Sequence, residues 1–206
     1  MAALVLDKLL AGRLLEERRA SGADRFDEVW EGTYVMAPLA NDEHQAIQTA
    51  LAAVFQIVFG WSAAGLVRAG VNVSDRNEGW EHNYRCPDVV VFVKGTTARN
   101  RDTHWVGGPD FAVEILSPGD HTPQKLPFYA SVNVRELLVI DRNPWSIELH
   151  RLRDGTLSSI GRTTPDGTKM LESHVLPLTF RLMPPLAGER PMLEVSHRET
   201  GQRWSV

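Results

Sequence analysis

Cysteine and lysine are the two side chains that this sequence almost lacks. Its 206 residues include one cysteine, Cys86, and four lysines. A single thiol excludes an intrachain disulfide, which fits a reducing, cytoplasmic compartment. Arginine supplies most of the positive charge, yet the formal net charge is −4. That balance argues against a broad nucleic-acid-binding surface, while a local basic patch remains compatible with it.

Long apolar runs are also missing. No stretch approaches the roughly 18 apolar residues of a membrane span, so the sequence predicts no membrane partner. Charged residues interrupt residues 1–20, which is not the pattern of a secretory signal. The apolar fraction of 43% is sufficient for a core, and the length favours one domain with an appendage.

The hydrophobic periodicity predicts an α/β (α+β) fold with a mixed β-sheet. We expect an N-terminal amphipathic helix in residues 1–22, a core in 23–152 and a β-rich C-terminal extension, packed on that core, in 153–206. Strands are predicted at 66–74, 87–93, 110–117, 136–141 and 145–152, with an extended segment at 26–38 that turns at Glu31-Gly32.

Two core helices are predicted from their start signals. Asn41 is a good N-cap residue, and the apolar positions after it follow the 3.6-residue period up to Gly60. Thr122-Pro123 indicates a second helix, because proline is favoured at the first helical position. That helix is expected to end near Val132.

Two of the predicted strands contain a carboxylate. Asp88 precedes the apolar run Val89–Val93, and Glu114 lies inside the strand predicted at 110–117. Neighbouring strands lie about 4.8 Å apart, so carboxylates on paired strands are able to share one divalent cation. Asp88 alone is also typical of a strand start. Glu114 alone would also fit a salt bridge with an arginine, since a buried carboxylate needs a partner.

Three further side chains are candidates for the same site. Lys125 and Tyr129 are four residues apart and share a helix face, while His44 lies on the inward stripe of the helix after Asn41. A lysine there is suited to contact a scissile phosphate or to orient an attacking water. Each also has a simpler structural interpretation: a solvated lysine, a core tyrosine with a polar tip and a core histidine.

The motifs together resemble the Uma-type family of putative restriction endonucleases, within the PD-(D/E)XK nuclease superfamily. The resemblance covers about residues 26–152 and is carried by a set of short segments: Trp30-Glu-Gly32, Met36-Ala-Pro38, Pro87-Asp88-Val-Val-Val, Gly108-Pro109-Asp110-Phe-Ala-Val-Glu114-Ile-Leu-Ser117-Pro118, Lys125-Leu-Pro-Phe-Tyr129-Ala and Val134-Arg135-Glu136-Leu-Leu-Val-Ile-Asp141. The superfamily lysine usually follows the second acid by two residues, where this chain has Leu116. Uma-type proteins share that departure.

The resemblance implies a restriction-endonuclease-like three-layer core and hydrolysis of DNA phosphodiester bonds with Mg²⁺ or Mn²⁺. Asp88 and Glu114 would bind the cation, and Lys125 would take the place of the superfamily lysine. His44 and Tyr129 would complete the catalytic set. The alternative is a catalytically weak nuclease fold that serves as a nucleic-acid-binding or protein-interaction module.

The predicted DNA-facing rim is the loop 94–108. Arg99, Arg101, His104 and Trp105 combine positive charge with rings suited to base stacking, although a solvated loop would have the same composition. A homodimer is also expected, because cleavage of both DNA strands needs two sites and a two-fold axis supplies them.

Overall fold

The chain forms three β-sheets and three α-helices within residues 3–37, 40–117 and 122–206, the residues that this computed structural model describes. The helices are α1 (Lys8–Ser21), α2 (Asp42–Phe55) and α3 (Thr122–Ser131). The strands are β1 (Ala3–Val5), β2 (Glu28–Trp30), β3 (Thr33–Met36), β4 (Gly65–Ala69), β5 (Val73–Ser74), β6 (Tyr84–Arg85), β7 (Val89–Val93), β8 (Arg99–Asn100), β9 (Trp105–Val106), β10 (Phe111–Ile115), β11 (Glu136–Arg142), β12 (Trp145–Arg153), β13 (Thr156–Thr163), β14 (Leu171–Glu172), β15 (Leu178–Met183), β16 (Met192–His197) and β17 (Arg203–Ser205). Pro38 and Pro118, which belong to the motifs quoted above, lie outside the described residues.

The central sheet has six strands in the order β13-β12-β11-β10-β7-β4. The sheet is mixed, because β10 and β11 are parallel while all the other neighbouring strands in this sheet are antiparallel. Successive side chains of a strand point to opposite faces, and β10 is buried along its whole length. Both faces of the sheet are therefore covered at β10, and the Glu114 side chain lies on a covered face rather than a solvated one.

Each face of the central sheet is covered by a different layer. On one face, Leu51 and Phe55 of α2 join Val113 of β10 in an apolar cluster that includes Phe180 of β15. On the opposite face, Phe128 and Tyr129 of α3 pack with Ala112. The three-layer α/β arrangement is therefore confirmed. The four-stranded sheet β14-β15-β16-β17 is the predicted β-rich C-terminal part, and it packs on the core.

A seven-stranded sheet in the order β1-β3-β2-β6-β5-β9-β8 lies beside the core. The turn predicted at Glu31-Gly32 joins β2 to β3, and both turn residues have positive φ angles of 46° and 81°. Glycine suits the second position because it has no Cβ to clash there. This hairpin directs Glu28 of β2 toward Cys86, whose backbone N–H donates to Glu28 Oε1 at 2.9 Å.

The N-terminal helix differs from its sequence prediction. Residues 3–5 form a strand, and Asp7 caps α1 by accepting from the N–H groups of Leu9 and Leu10 at 2.9 Å. With the helix started at that point, Leu14 and Leu15 pack against the small cluster around Tyr34. Leu9 lies on the outer side and is 84% exposed. The cap sets where the helix starts, and packing against this cluster decides which leucines are covered.

The α-helices α1, α2 and α3 have 14, 14 and 10 residues. Across the described ranges, none of them combines the length and the apolar character that a membrane span requires.

The central sheet continues through β13 to Thr163, because β13 pairs with β12. The domain boundaries drawn at residues 22 and 152 stay predictions.

Candidate metal and active site

Asp88 and Glu114 line one cavity of about 80 Å³. The Asp88 backbone N–H donates to the Val113 carbonyl at 3.0 Å, and its Oδ2 accepts from the Ile115 N–H at 2.7 Å. These two bonds bracket Glu114 and fix Asp88 beside it. Glu114 is 3% exposed, so its carboxylate lies deep in the cavity.

Helix α3 brings Lys125 and Tyr129 to the Glu114 carboxylate. The Lys125 ammonium lies 3.2 Å from Oε1 and 3.1 Å from Oε2, and the Tyr129 hydroxyl donates to Oε1. Burial, followed by the charges of Glu114 and Glu28, raises the pKa of Tyr129 well above its usual value of 10.0. Tyr129 therefore keeps its proton and acts as a hydrogen-bond donor.

His44 and Gln48 hold Asp88 from helix α2. Nε2 of His44 lies 3.2 Å from Oδ1 of Asp88, and Nε2 of Gln48 donates to the Asp88 carbonyl at 2.8 Å. The sequence places His44 one turn into the helix because Asn41 caps it at the His44 N–H. Nδ1 of His44 is buried and has no hydrogen-bond partner within the described ranges.

Glu28 is the charged residue of the described cavity lining that the sequence did not predict. Its Oε1 lies 3.0 Å from the Lys125 ammonium, and its Oε2 accepts from Trp30 Nε1 at 2.6 Å. It comes from the seven-stranded sheet rather than from the central one. Its signal in the sequence is faint: an acid that becomes buried at the start of a three-residue strand, two positions before Trp30-Glu-Gly32.

The charges of the cavity are unbalanced toward the negative. The described lining residues include three carboxylates, Glu28, Asp88 and Glu114, and one ammonium, that of Lys125. Burial and then the charges of Glu28 and Asp88 raise the pKa of the Cys86 thiol, which lines the same cavity. A low-dielectric cavity with excess carboxylates attracts a cation.

The donor set fits a magnesium-type cation rather than a closed protein cage. Within residues 3–37, 40–117 and 122–206, no group of three acidic, histidine or cysteine side chains is arranged to hold a metal. Mg²⁺ typically binds through one or two carboxylates and completes its shell with waters and substrate phosphates. Asp88 and Glu114 are two carboxylates of that kind.

The predicted rim residues separate into two groups. Arg99 and Arg101 are exposed, as a DNA-binding role requires. Trp105 is buried and stacks on Phe92 at 3.7 Å between ring centroids, while His104 is buried against Trp80 at 4.6 Å. The expectation of free stacking rings is therefore wrong, because both rings are already covered. Burial also lowers the pKa of His104, so this ring adds no positive charge at neutral pH.

The rim also lies at a distance from the cavity. Its strand β8 is four steps from β2 in the seven-stranded sheet, which corresponds to about 19 Å at the usual strand spacing. Arg99 and Arg101 consequently do not belong to the lining of the cavity that contains Glu114.

A mixed sheet covered by α2 on one face and α3 on the other has the architecture of a restriction-endonuclease-like nuclease core. The family described as "Putative restriction endonuclease", Uma2, matches residues 17–185. The chain belongs to this family. The resemblance predicted for residues 26–152 is confirmed, and the match extends further at both ends.

A solved structure with the same fold comes from Anabaena variabilis ATCC 29413 and is described as a putative nuclease belonging to DUF820. It is similar with a TM-score of 0.57 and 18% identity, over 71% of this chain and 80% of the other. At that identity the likeness shows the fold alone. No curated protein matches the chain. The family description supports a nuclease.

Proposed function

We propose that the chain is an endonuclease that hydrolyses phosphodiester bonds of DNA with Mg²⁺ or Mn²⁺. The observation that carries the proposal is the meeting of Asp88, Glu114 and Lys125 at one cavity, where Glu114 and Lys125 are buried and Asp88 is half-buried. Their spacing in the sequence does not require this meeting. A buried group of excess carboxylates is costly unless something pairs with it, and a bound cation supplies that pairing.

In this proposal Asp88 and Glu114 hold the cation. When bound, the cation would supply positive charge to the phosphate and would lower the pKa of an attacking water. His44 keeps the Asp88 carboxylate in place, and the protonated Tyr129 hydroxyl does the same for Glu114. Carboxylates fixed in this way lose little conformational entropy when the cation arrives.

Lys125 provides the second positive charge of the site. Its ammonium is compact and carries three donors, which suits contact with a phosphate oxygen or with the attacking water. It is 8% exposed and lines the cavity, so a phosphate must enter the cavity to meet it. Arg99 and Arg101 would contact the DNA backbone farther along the duplex.

A plasmid-nicking assay tests the proposal. We expect the wild type to nick supercoiled DNA with Mn²⁺ or Mg²⁺, and Asp88→Asn and Glu114→Gln to lose nicking. Asp110→Asn is the matched control, because Asp110 also follows a proline but accepts from the Val93 N–H and lies outside the cavity lining. A wild type that nicks with neither cation, or variants that nick normally, would rule out the proposal.

The homodimer is part of the same proposal. Two copies of the cavity related by a two-fold axis would cut both strands. Light scattering at micromolar concentration measures the mass directly, and 23.0 kDa corresponds to one chain. A monomeric mass would remove the dimer from the proposal and leave single-strand nicking.

The second candidate is a nuclease fold that binds without cutting. The net charge of −4 favours its protein-binding form, because an acidic protein repels a polyanion whether or not it cuts it. This candidate predicts DNA or protein binding without nicking. A DNA-binding assay and a nicking assay with Mn²⁺ on the same sample separate the two candidates, because only the endonuclease cuts the DNA that it binds.

A further inference from the structure

Glu28 reaches the cavity from a different sheet than the two acids of the proposed cation site. It lies on β2, while its partner Lys125 lies on α3. The two charged groups are 3.0 Å apart, and the side chains are only 6% and 10% exposed. Two buried opposite charges at this distance interact strongly, because little water screens them.

The Lys125 ammonium has two carboxylate partners, and each partner can have a different role. Lys125 contacts Glu28 and Glu114 at nearly equal distances of 3.0 and 3.1 Å. A cation on Glu114 would take up part of that carboxylate's charge and weaken its hold on Lys125. Glu28 would then be the carboxylate that still fixes the ammonium. The pair with Glu28 therefore matters most when the site is loaded.

The Glu28 carboxylate is itself held rigidly. It accepts from the Cys86 N–H at 2.9 Å and from Trp30 Nε1 at 2.6 Å. Arg85 covers the Trp30 ring at 4.8 Å. Cys86 is two residues before Asp88, so Glu28 and the cation-binding strand share a backbone anchor. A group supported in this way is able to set the position of its partner.

We infer that Glu28 is a positioning residue that holds the Lys125 ammonium against the reacting phosphate. The inference rests on the proposed nuclease function. It assigns Glu28 no contact with the cation or the substrate. Its effect passes through Lys125, and this route distinguishes it from a third cation ligand and from a carboxylate that only stabilises the fold.

A double-mutant cycle on nicking tests the route. We expect Glu28→Gln to lower kcat by about 10- to 100-fold with little change in KM, as misplacement of a catalytic group does. In a Lys125→Met background, the same change should cause no further loss. Glu31→Gln is the matched control, since it lies on the same hairpin but is exposed. Additive losses, or an equal loss in the control, would overturn the inference.

Cation binding separates a positioning residue from a ligand. By calorimetry with Mn²⁺ alone, Glu28→Gln should keep the wild-type affinity within about threefold, a small difference of under 1 kcal/mol. Glu114→Gln should lose binding. If Glu28→Gln loses binding as Glu114→Gln does, Glu28 is a ligand and the inference is wrong.

A lysine NMR signal makes the inference testable even if the wild type cuts nothing or Lys125→Met fails to fold. With ¹³Cε-labelled lysine the chain gives four signals, one for each lysine, and Lys125→Arg identifies the signal of Lys125. In the presence of saturating Mg²⁺, a held ammonium gives two inequivalent Hε protons, and Glu28→Gln should merge them while Glu31→Gln should not. An unchanged signal overturns the inference. A changed signal without nicking supports the placement of Lys125 and defeats the nuclease proposal.

Discussion

Replacing Lys125 by methionine should destabilise the fold far more than neutralising Glu114 does. Lys125 is the ammonium between Glu28 and Glu114, which are 4% and 3% exposed. Loss of the Lys125 ammonium leaves the two buried carboxylates next to each other with no positive charge between them. Removing one partner of a buried pair costs about 3–5 kcal/mol. We expect a loss in that range for Lys125→Met.

Glu114→Gln should have a much smaller effect on stability. The amide keeps the shape of the side chain, and its oxygen still accepts from Tyr129. Lys125 retains Glu28, so the remaining pair is balanced. We expect a change of no more than about 1 kcal/mol in the free energy of unfolding, within the range of a single neutral hydrogen bond.

The stability of the double variant, compared with that of Lys125→Met alone, is the most decisive test of the charge argument. Glu114→Gln in the Lys125→Met background removes the repulsion between the two carboxylates. It should therefore raise stability relative to Lys125→Met alone by at least about 1 kcal/mol, a coupling typical of groups in contact. The same substitution thus stabilises one background and is nearly neutral in the other.

Urea unfolding in EDTA measures these differences without a contribution from bound cation. With a slope of about 2 kcal/mol/M, the midpoint of Lys125→Met should fall by about 1.5–2.5 M. An unchanged midpoint for Lys125→Met would refute the charge argument. So would a double variant that is less stable than Lys125→Met.

Three further outcomes are expected. Cys86 should not react with a disulfide reagent in the native protein at pH 8 and should react fully in urea, because burial raises the pKa of its thiol above 9.0; native labelling would contradict this. Stability should fall as pH rises above about 9–10, since the unfolded chain loses protons that folded Cys86 and Tyr129 retain; a higher urea midpoint at pH 10.5 than at pH 8 would contradict it. Replacing Arg99 and Arg101 by alanine should flatten the salt dependence of DNA binding by about 1.8 in log–log slope, and an unchanged slope would place the DNA surface elsewhere.

Local patterns in the sequence determined the elements that carry the two acids and the lysine. Asn41 caps α2 as its side chain predicts, and Thr122 begins α3. The apolar runs around Asp88 and Glu114 became β7 and β10. These features depend on periods and caps that span a few residues, so they are visible without the fold. The family motifs use the same segments, which is why the family was also predictable.

Other features depended on packing that no local pattern encodes. The tryptophan and histidine of the predicted rim are covered by Phe92 and Trp80, which lie far away in the sequence. The strand predicted at residues 66–74 divides into β4 and β5 of different sheets, with Gly70 between them at a φ of 59°. Periodicity detects the extended chain but not the sheet that it joins.

Glu28 is the clearest example of a site residue that local sequence patterns do not predict. Its strand has three residues, too short for a periodic signal, and its partner Lys125 lies in α3. Sheet register and helix docking bring the two charges to 3.0 Å. The sequence by itself determined which residue types were available for the site. The tertiary structure alone decided that a carboxylate from a separate sheet shares the lysine, because contacts between distant segments are set by how the layers pack.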